Sequence, residues 1–249
     1  MKSTFIRFAL AALCAGLIAP LTQAAPNEHL RQVLADPARA GERGQDARRH
    51  PAELVGLAEL RSGQRVVDLI PGTGYWTRIF SKMVGPRGRV YAVWPNAYAK
   101  VASGNVADLR KSAGKNVEVL VEPGALLTAP QPVDVVWTSD NYHDYNDKFM
   151  GNPGPQSLAK AAYRALKPGG LFIVIDHAAG RGRGMRDTET MHRIERASVI
   201  EQATAVGFRL VGESSALANP RDPLNIPVFD RRIRFRTQQF ALKFRKPGR

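Results

Sequence analysis

Apolar positions recur along this chain with two periods. Trp76, Ile79, Phe80, Met83 and Val84 stand at i, i+3, i+4, i+7 and i+8, the stripe of an amphipathic helix, and Gly85 is placed to cap its end. Just upstream, Arg65-Val66-Val67-Asp68-Leu69-Ile70 is a short β-branched run that closes on Pro71-Gly72-Thr73-Gly74, a strand followed by a turn. Arg89 to Val93, Val117 to Val121 and Val133 to Thr138 read as three further strands. Leu171 to Ile175 is apolar without alternation, as expected of a strand buried on both faces. Helices are expected from about Gln156 to Leu166, from Asp187 to Ala205 with Gly207 beyond it, and within 97–113. Pro51 opens a short helical pattern carrying Leu54, Leu57 and Ala58, a good place for a residue whose missing N–H needs no partner. Two late strands, near Phe208–Gly212 and Phe240–Arg245, complete a set of seven. Strands alternating with helices predict an α/β fold: a doubly wound, mostly parallel seven-stranded sheet with helices on both faces.

The two ends of the chain follow different rules. Lys2 and Arg7 precede an apolar run from Phe8 to Ala19, Pro20 breaks it, and Thr22-Gln23-Ala24 supplies small residues. That order predicts a secretory signal peptide over 1–24, with export to the periplasm or beyond. The run is roughly a dozen residues, short of the about 20 that span a bilayer. Cys14 follows Leu13 inside it, out of place for lipid attachment, and no cysteine remains after cleavage to form a disulfide or a thiol nucleophile. Residues 25–50 are polar and rich in Arg and Ala, and read as an N-terminal arm ahead of one domain over 51–249.

Composition allows one sizeable core: 249 residues, 44% hydrophobic. The net charge is +14, and Arg231 to Arg249 carries eight basic residues and no acid. Such a balance suits acidic partners, here an anionic surface met by the basic C-terminus, although a solvated basic face is the plainer explanation. No nucleic-acid module accompanies the charge.

In sheets of this kind ligands bind beyond the carboxyl ends of the strands, where strand order reverses. The turn Asp68-Leu69-Ile70-Pro71-Gly72-Thr73-Gly74 is therefore the first candidate site, with glycines that let backbone approach a ligand and a helix N-terminus behind them. Thr77 stands where a dinucleotide fingerprint would place its third glycine, which argues against nicotinamide chemistry. A second cluster consists of His143 and Asp144 after the fourth strand, Asp176 and His177 at the end of the fifth, and His192 beyond it. These groups suit a general base or substrate-positioning site, with His143 and Asp144 as its centre, or a structural role in capping helices and tying loops. A divalent metal held by Asp144, Asp176 and a histidine is an alternative use of the same groups, and no metal is assigned.

The glycine turn resembles motif I of class I S-adenosylmethionine-dependent methyltransferases, and Leu166-Lys167-Pro168-Gly169-Gly170-Leu171-Phe172 resembles the turn before that superfamily's fifth strand. Arg49-His50-Pro51-Ala52-Glu53, Asn141-Tyr142-His143-Asp144 and the ending Phe240-Ala241-Leu242-Lys243-Phe244-Arg245-Lys246-Pro247 are similar to a group of exported bacterial methyltransferases. The resemblance implies S-adenosylmethionine as cofactor and a small or envelope-associated methyl acceptor. It places Gly72, Thr73 and Gly74 beside the methionine part, Asp68 at the loop or the cofactor's amino group, and Asp140 where methyl transfer occurs. On the adenosine side it leaves Trp94 either to stack on the adenine or simply to fill the pocket, Asn96 for a ribose hydroxyl and Glu122 after the third strand. Tyr75 is a further catalytic candidate beside the turn. Two departures matter: Ile70 occupies the place of the usual first glycine, and Trp94-Pro95-Asn96 stands where an acidic residue usually meets the ribose. A non-catalytic small-molecule-binding protein on the same scaffold therefore remains the alternative.

Overall fold

Strands β1 (Arg65–Leu69), β2 (Arg89–Pro95), β3 (Val117–Glu122), β4 (Val133–Ser139), β5 (Leu166–His177), β6 (Arg209–Ser214) and β7 (Gln239–Arg245) form one sheet in the order β3-β2-β1-β4-β5-β7-β6. The structure, a computed structural model, describes residues 28–123, 127 and 129–248. The expected signal peptide over 1–24 lies outside them, as does Arg249. Strands β1 to β5 pair in parallel, and β7 runs antiparallel between β5 and β6. The predicted doubly wound, mostly parallel seven-stranded sheet is thus the observed one. Its order reverses at β1, which pairs with β2 on one side and β4 on the other.

Nine α-helices connect or flank the strands among the described residues: α1 (Glu28–Ala35), α2 (Asp46–Arg49), α3 (Pro51–Leu57), α4 (Tyr75–Val84), α5 (Asn96–Val101), α6 (Ser103–Ser112), α7 (Pro155–Ala165), α8 (Thr188–Met191) and α9 (Arg196–Val206). Helix α4 buries all five residues of its predicted apolar stripe and ends on Gly85. Along β5 the side chains alternate between two cores: Phe172 and Val174 face one, Leu171, Ile173 and Ile175 the other. This two-sided burial is why the strand shows no polar alternation. No described helix is long and apolar enough to cross a membrane.

Three regions depart from the pattern-based expectation. The single helix expected over Asp187–Ala205 is two, because His192 adopts a left-handed conformation (φ 54°) and Ile194 leaves the helix to bridge to Ala178 beside β5. The stretch 97–113 likewise holds two helices, α5 and α6, meeting at Ala102. The segment expected to be an arm is folded from Glu28 onward: Leu30 and Val33 are buried in the same core as α4, and Arg39 is buried against Asp46. Part of the basic C-terminus also turns inward. Lys243 pairs with Glu59, and Lys246 donates to the carbonyls of Tyr163 and Leu166 at 2.7 Å each.

Residues 215–238, between β6 and β7, hold no helix or strand and close over the carboxyl ends of β4 and β5. One buried ion pair anchors them. The Arg193 guanidinium donates to both Asp222 carboxylate oxygens at 2.9 Å, to the Ile226 carbonyl at 3.0 Å and to the Ala178 carbonyl at 2.9 Å. Asp222 in turn accepts the backbone N–H groups of Leu224 and Gln238. Both side chains are fully buried, so removing one strands the other's charge in the interior. Asp222→Ala is expected to cost about 3–5 kcal/mol of stability, read as a lower urea midpoint with an intact folded baseline.

Candidate active site

The carboxyl ends of the parallel strands open into a cavity of about 320 Å³. Ser139 and Asp140 from the end of β4, His143 and Asp144 from the turn after it, and His177 from the end of β5 line its floor. Trp76 in the first turn of α4, Tyr98 in α5, Arg48 and Arg49 in α2, and His192 after α8 form its walls. Phe229, Arg234 and Phe235 of the irregular segment roof it.

The floor is a hydrogen-bonded network around His143. Its ring Nδ1 lies 2.7 Å from Asp176 Oδ1, and its backbone N–H donates to Asp176 Oδ2 at 2.9 Å. On the other side, Nε2 is 3.0 Å from Asp144 Oδ1 and 3.2 Å from His192 Nδ1. Tyr98 donates to Asp144 Oδ2 at 3.0 Å. Burial opposes a charged His143 ring, but the Asp176 charge and the hydrogen bonds to both carboxylates prevail and raise its pKa. Burial likewise pushes the Asp144 carboxyl up, yet hydrogen bonds from His143, His192 and Tyr98 hold it down at about 2. His177 goes the other way: burial favours its neutral form.

This arrangement alters the role expected for His143. The ring is buried and both its nitrogens are engaged, so it does not present a free base to the cavity. It is the hub that orients Asp144 and His192. His192, with 29% of its side chain exposed, is the member that reaches the opening, set edge-to-face against Phe229. Tyr75, the other catalytic candidate, does not line the cavity; it is buried and donates to Asp46 Oδ1 at 2.6 Å.

The glycine turn leads into α4 beside this cavity, two residues ahead of Trp76. Gly72 (φ 58°) faces open space, since a Cβ there would meet no atom within 4 Å. Gly74 (φ 84°) is different: a Cβ would come within 2.6 Å of Leu109 Cδ1 and 2.8 Å of Arg78, so this glycine lets α6 and the Arg78 side chain close on the turn. Thr73 is exposed between them, and its carbonyl accepts from Arg78 at 2.8 Å. Ile70 holds the left-handed conformation (φ 52°) at the start of the turn, rare for a β-branched residue. Asp68 is fully buried below, accepting from the Thr77 hydroxyl at 2.5 Å. Burial pushes its carboxyl up to about 7 against the opposing Thr77 hydrogen bond and the charges of Arg49 and Arg78.

The methionine side of an S-adenosylmethionine site fits these residues: an open Gly72, an exposed Thr73 and a helix N-terminus beside the floor of the cavity. The adenosine side departs from expectation. Trp94 does not offer its ring for stacking; it is fully buried in the core that contains Ile70, Val106 and Leu127. Asn96 is exposed at the start of α5, and Glu122 is buried at the end of β3 opposite Pro95. Asp140, left-handed at φ 63°, is partly exposed at the cavity floor and accepts from Gln239.

Several lining residues carry no motif. Arg48 and Arg49 share the Gln45 side-chain oxygen, at 3.0 and 3.1 Å, and neither has a carboxylate partner among the described residues. Burial and then the neighbouring Arg49 charge lower the Arg48 pKa. Arg48 stacks on Phe235 at 4.6 Å and Arg234 on the same ring at 4.9 Å. Arg48 was visible in the sequence only as part of a charged arm and Arg49 as the first residue of a resembling segment, while Phe229 and Phe235 lie in a segment without periodicity.

Comparison with known proteins agrees with this geometry. The ubiquinone/menaquinone biosynthesis C-methyltransferase UbiE of Pseudomonas savastanoi is 32% identical over 126 residues, covering 49% of this chain and 45% of that protein. The protein-L-isoaspartate O-methyltransferase of Ignicoccus hospitalis is 27% identical over 123 residues, covering 49% of this chain and 52% of that one. The chain thus matches about half the length of these relatives. A crystal structure of a SAM-dependent methyltransferase from Aquifex aeolicus superposes with a TM-score of 0.57 at 19% identity, covering 87% of this chain and 98% of the other, a likeness of fold. Residues 46–174, just over half of the chain and the part that holds the glycine turn, β1 to β4 and His143, match the protein-L-isoaspartate (D-aspartate) O-methyltransferase family, and the chain belongs to that family of class I methyltransferases.

Proposed function

We propose that this protein transfers a methyl group from S-adenosylmethionine to a small acceptor that carries an anionic group and a flat apolar part. The observation that carries this reading is the cavity itself. It opens at the carboxyl ends of β4 and β5, within a turn of the glycine loop, and its walls pair guanidinium groups with aromatic rings. Bound at Gly72, Thr73 and the head of α4, the cofactor would supply an electrophilic methyl on a sulfonium. The chain's own residues then have three tasks. Arg48, Arg49 and Arg234 receive the acceptor's negative group, which offsets the repulsion between crowded cations. Phe235 and Trp76 hold its apolar part by contact with their rings. His192, the member of the network that reaches the opening, faces its reacting atom, and Asp144 and His143 hold that ring in place. In an in-line displacement such alignment is the main contribution a protein makes.

The buried Trp94 favours the second reading, a non-catalytic binding protein on this scaffold, because it withholds the usual ribose contact. Losing one charge-assisted hydrogen bond costs about 1.5–3 kcal/mol, one to two decades of affinity, and leaves the methionine side intact. Calorimetry with S-adenosylhomocysteine separates the readings: the methyltransferase binds it, and absence of heat at millimolar ligand rejects methyl transfer.

Gly72→Ala sharpens the assignment. The added methyl meets no protein atom, and the left-handed backbone costs only about 1–2 kcal/mol, so the thermal midpoint should fall by a few degrees. Affinity for S-adenosylhomocysteine should fall at least about tenfold; unchanged affinity would place the ligand elsewhere. Asp68 yields a pH signature. Its folded pKa of about 7 lies above the ordinary 3.8, so the folded state holds a proton that the unfolded chain has released. Stability therefore declines as pH rises from about 4 to 7 and levels off above. Asp68→Asn keeps an acceptor for Thr77 and removes the proton. Its melting-temperature advantage over the unaltered chain should grow across that window and stay constant beyond it.

A further inference from the structure

We propose that His143, Asp144 and His192 form a binding site for one divalent first-row transition-metal ion, with zinc as the ion the spacing suits. Three electron-pair donors converge there. His143 Nε2 is 3.0 Å from Asp144 Oδ1 and 3.2 Å from His192 Nδ1, and the latter two atoms are 3.6 Å apart. A tetrahedron with metal–ligand bonds of about 2.0 Å has edges of about 3.3 Å, so these separations are those of one face of a zinc site. A residue set of two imidazoles and one carboxylate selects zinc or a neighbouring transition metal over magnesium or calcium, which prefer oxygen alone.

The surrounding contacts prepare each donor. Asp176 accepts a hydrogen bond from His143 Nδ1 at 2.7 Å, which makes Nε2 the ring nitrogen turned toward Asp144 and His192, and an ion bound there would displace the Nε2 proton. That carboxylate–histidine pairing is the usual support behind a metal-bound imidazole. Tyr98 occupies the other Asp144 oxygen at 3.0 Å, and Oδ1 is left for the ion. All three residues line the cavity, so the fourth coordination position opens toward the acceptor space, as in sites where a metal polarises a bound oxygen. The inference stands apart from the methyl-transfer reading, since ion binding is measured without cofactor or acceptor.

The test uses the full chain, without a polyhistidine tag, freed of metal by chelator. Zinc is titrated by calorimetry and cobalt(II) by visible absorption. The expected result is one ion per chain, with the d–d bands of a four-coordinate cobalt site. His192→Asn suits the left-handed backbone at that position and should weaken zinc binding at least about tenfold while circular dichroism and the unfolding midpoint are retained. Asp176→Asn, which touches no ion, should weaken it about 10–100-fold. A chain that binds no stoichiometric zinc, or whose affinity His192→Asn changes less than tenfold, overturns the assignment. If that variant fails to fold, Asp144→Asn decides by the same criterion.

Discussion

The Asp176 carboxylate at the end of β5 is the constraint on which the site depends. It is fully buried and accepts three hydrogen bonds: the backbone N–H and ring Nδ1 of His143 and the backbone N–H of His177. A buried charge is tolerable only when so satisfied, and each bond here also does positional work. Two of them pull the turn after β4 against the end of β5. Once His143 is fixed, Asp144 and His192 are fixed with it, because each bonds to the same ring. The Arg193–Asp222 pair does for the roof what Asp176 does for the floor, anchoring residues that have no ladder of their own. The cavity lies between two buried electrostatic ties, neither of which belongs to a strand pairing.

Much of this architecture was legible from residue pattern alone, and the parts that were not share a physical cause. Seven strands and the helix after the first turn could be read because each repeats a period that burial on a sheet enforces. The break at His192 could not. Residues 187–205 carry no proline or glycine, and local propensity favours one helix. What ends it is tertiary: Ile194 is fully buried, its N–H bonds to the His177 carbonyl at 3.0 Å, and the chain must leave the helix to reach it. Arg39 and Lys243 show the same limit in charge. Each looked like solvated surface, yet each is buried with an acidic partner, and in the second case the partner is 184 positions away.

The site divides along the same line. Asp68, Gly72, His143, Asp144 and Asp176 sit at strand ends, where topology alone says that function collects, and the structure brings the last three together with His192. Tyr98, Arg48, Phe229 and Phe235 arrive from a helix face, a one-turn helix and an irregular segment. Nothing in their spacing marks them, since three dimensions and not sequence interval set their distance to the cavity. Gly74 illustrates a subtler confusion. A glycine in a binding turn is naturally assigned to the ligand, but here the space in its side-chain direction is filled by Leu109 and Arg78. Gly72 and Gly74, two residues apart in one motif, thus serve different masters.

The turn also shows which feature of the motif is physically necessary. Ile70 holds a left-handed backbone that a β-branched residue adopts at a cost of order 1–3 kcal/mol, and Pro71 follows it directly. Such strain persists only where surroundings determine it. Here the Ile70 N–H bonds to the Val93 carbonyl at 2.8 Å, and its side chain is buried in the core that holds Trp94. Ile70 and Trp94 thus pack in one core, which places apolar bulk beneath the ends of β1 and β2 where a glycine and an acidic residue were expected. The path into α4 needs no particular side chain there, because amides at a helix N-terminus require only correct φ and ψ. The turn keeps an open Gly72 and a helix N-terminus, while the ends of β1 and β2 beneath it carry apolar bulk.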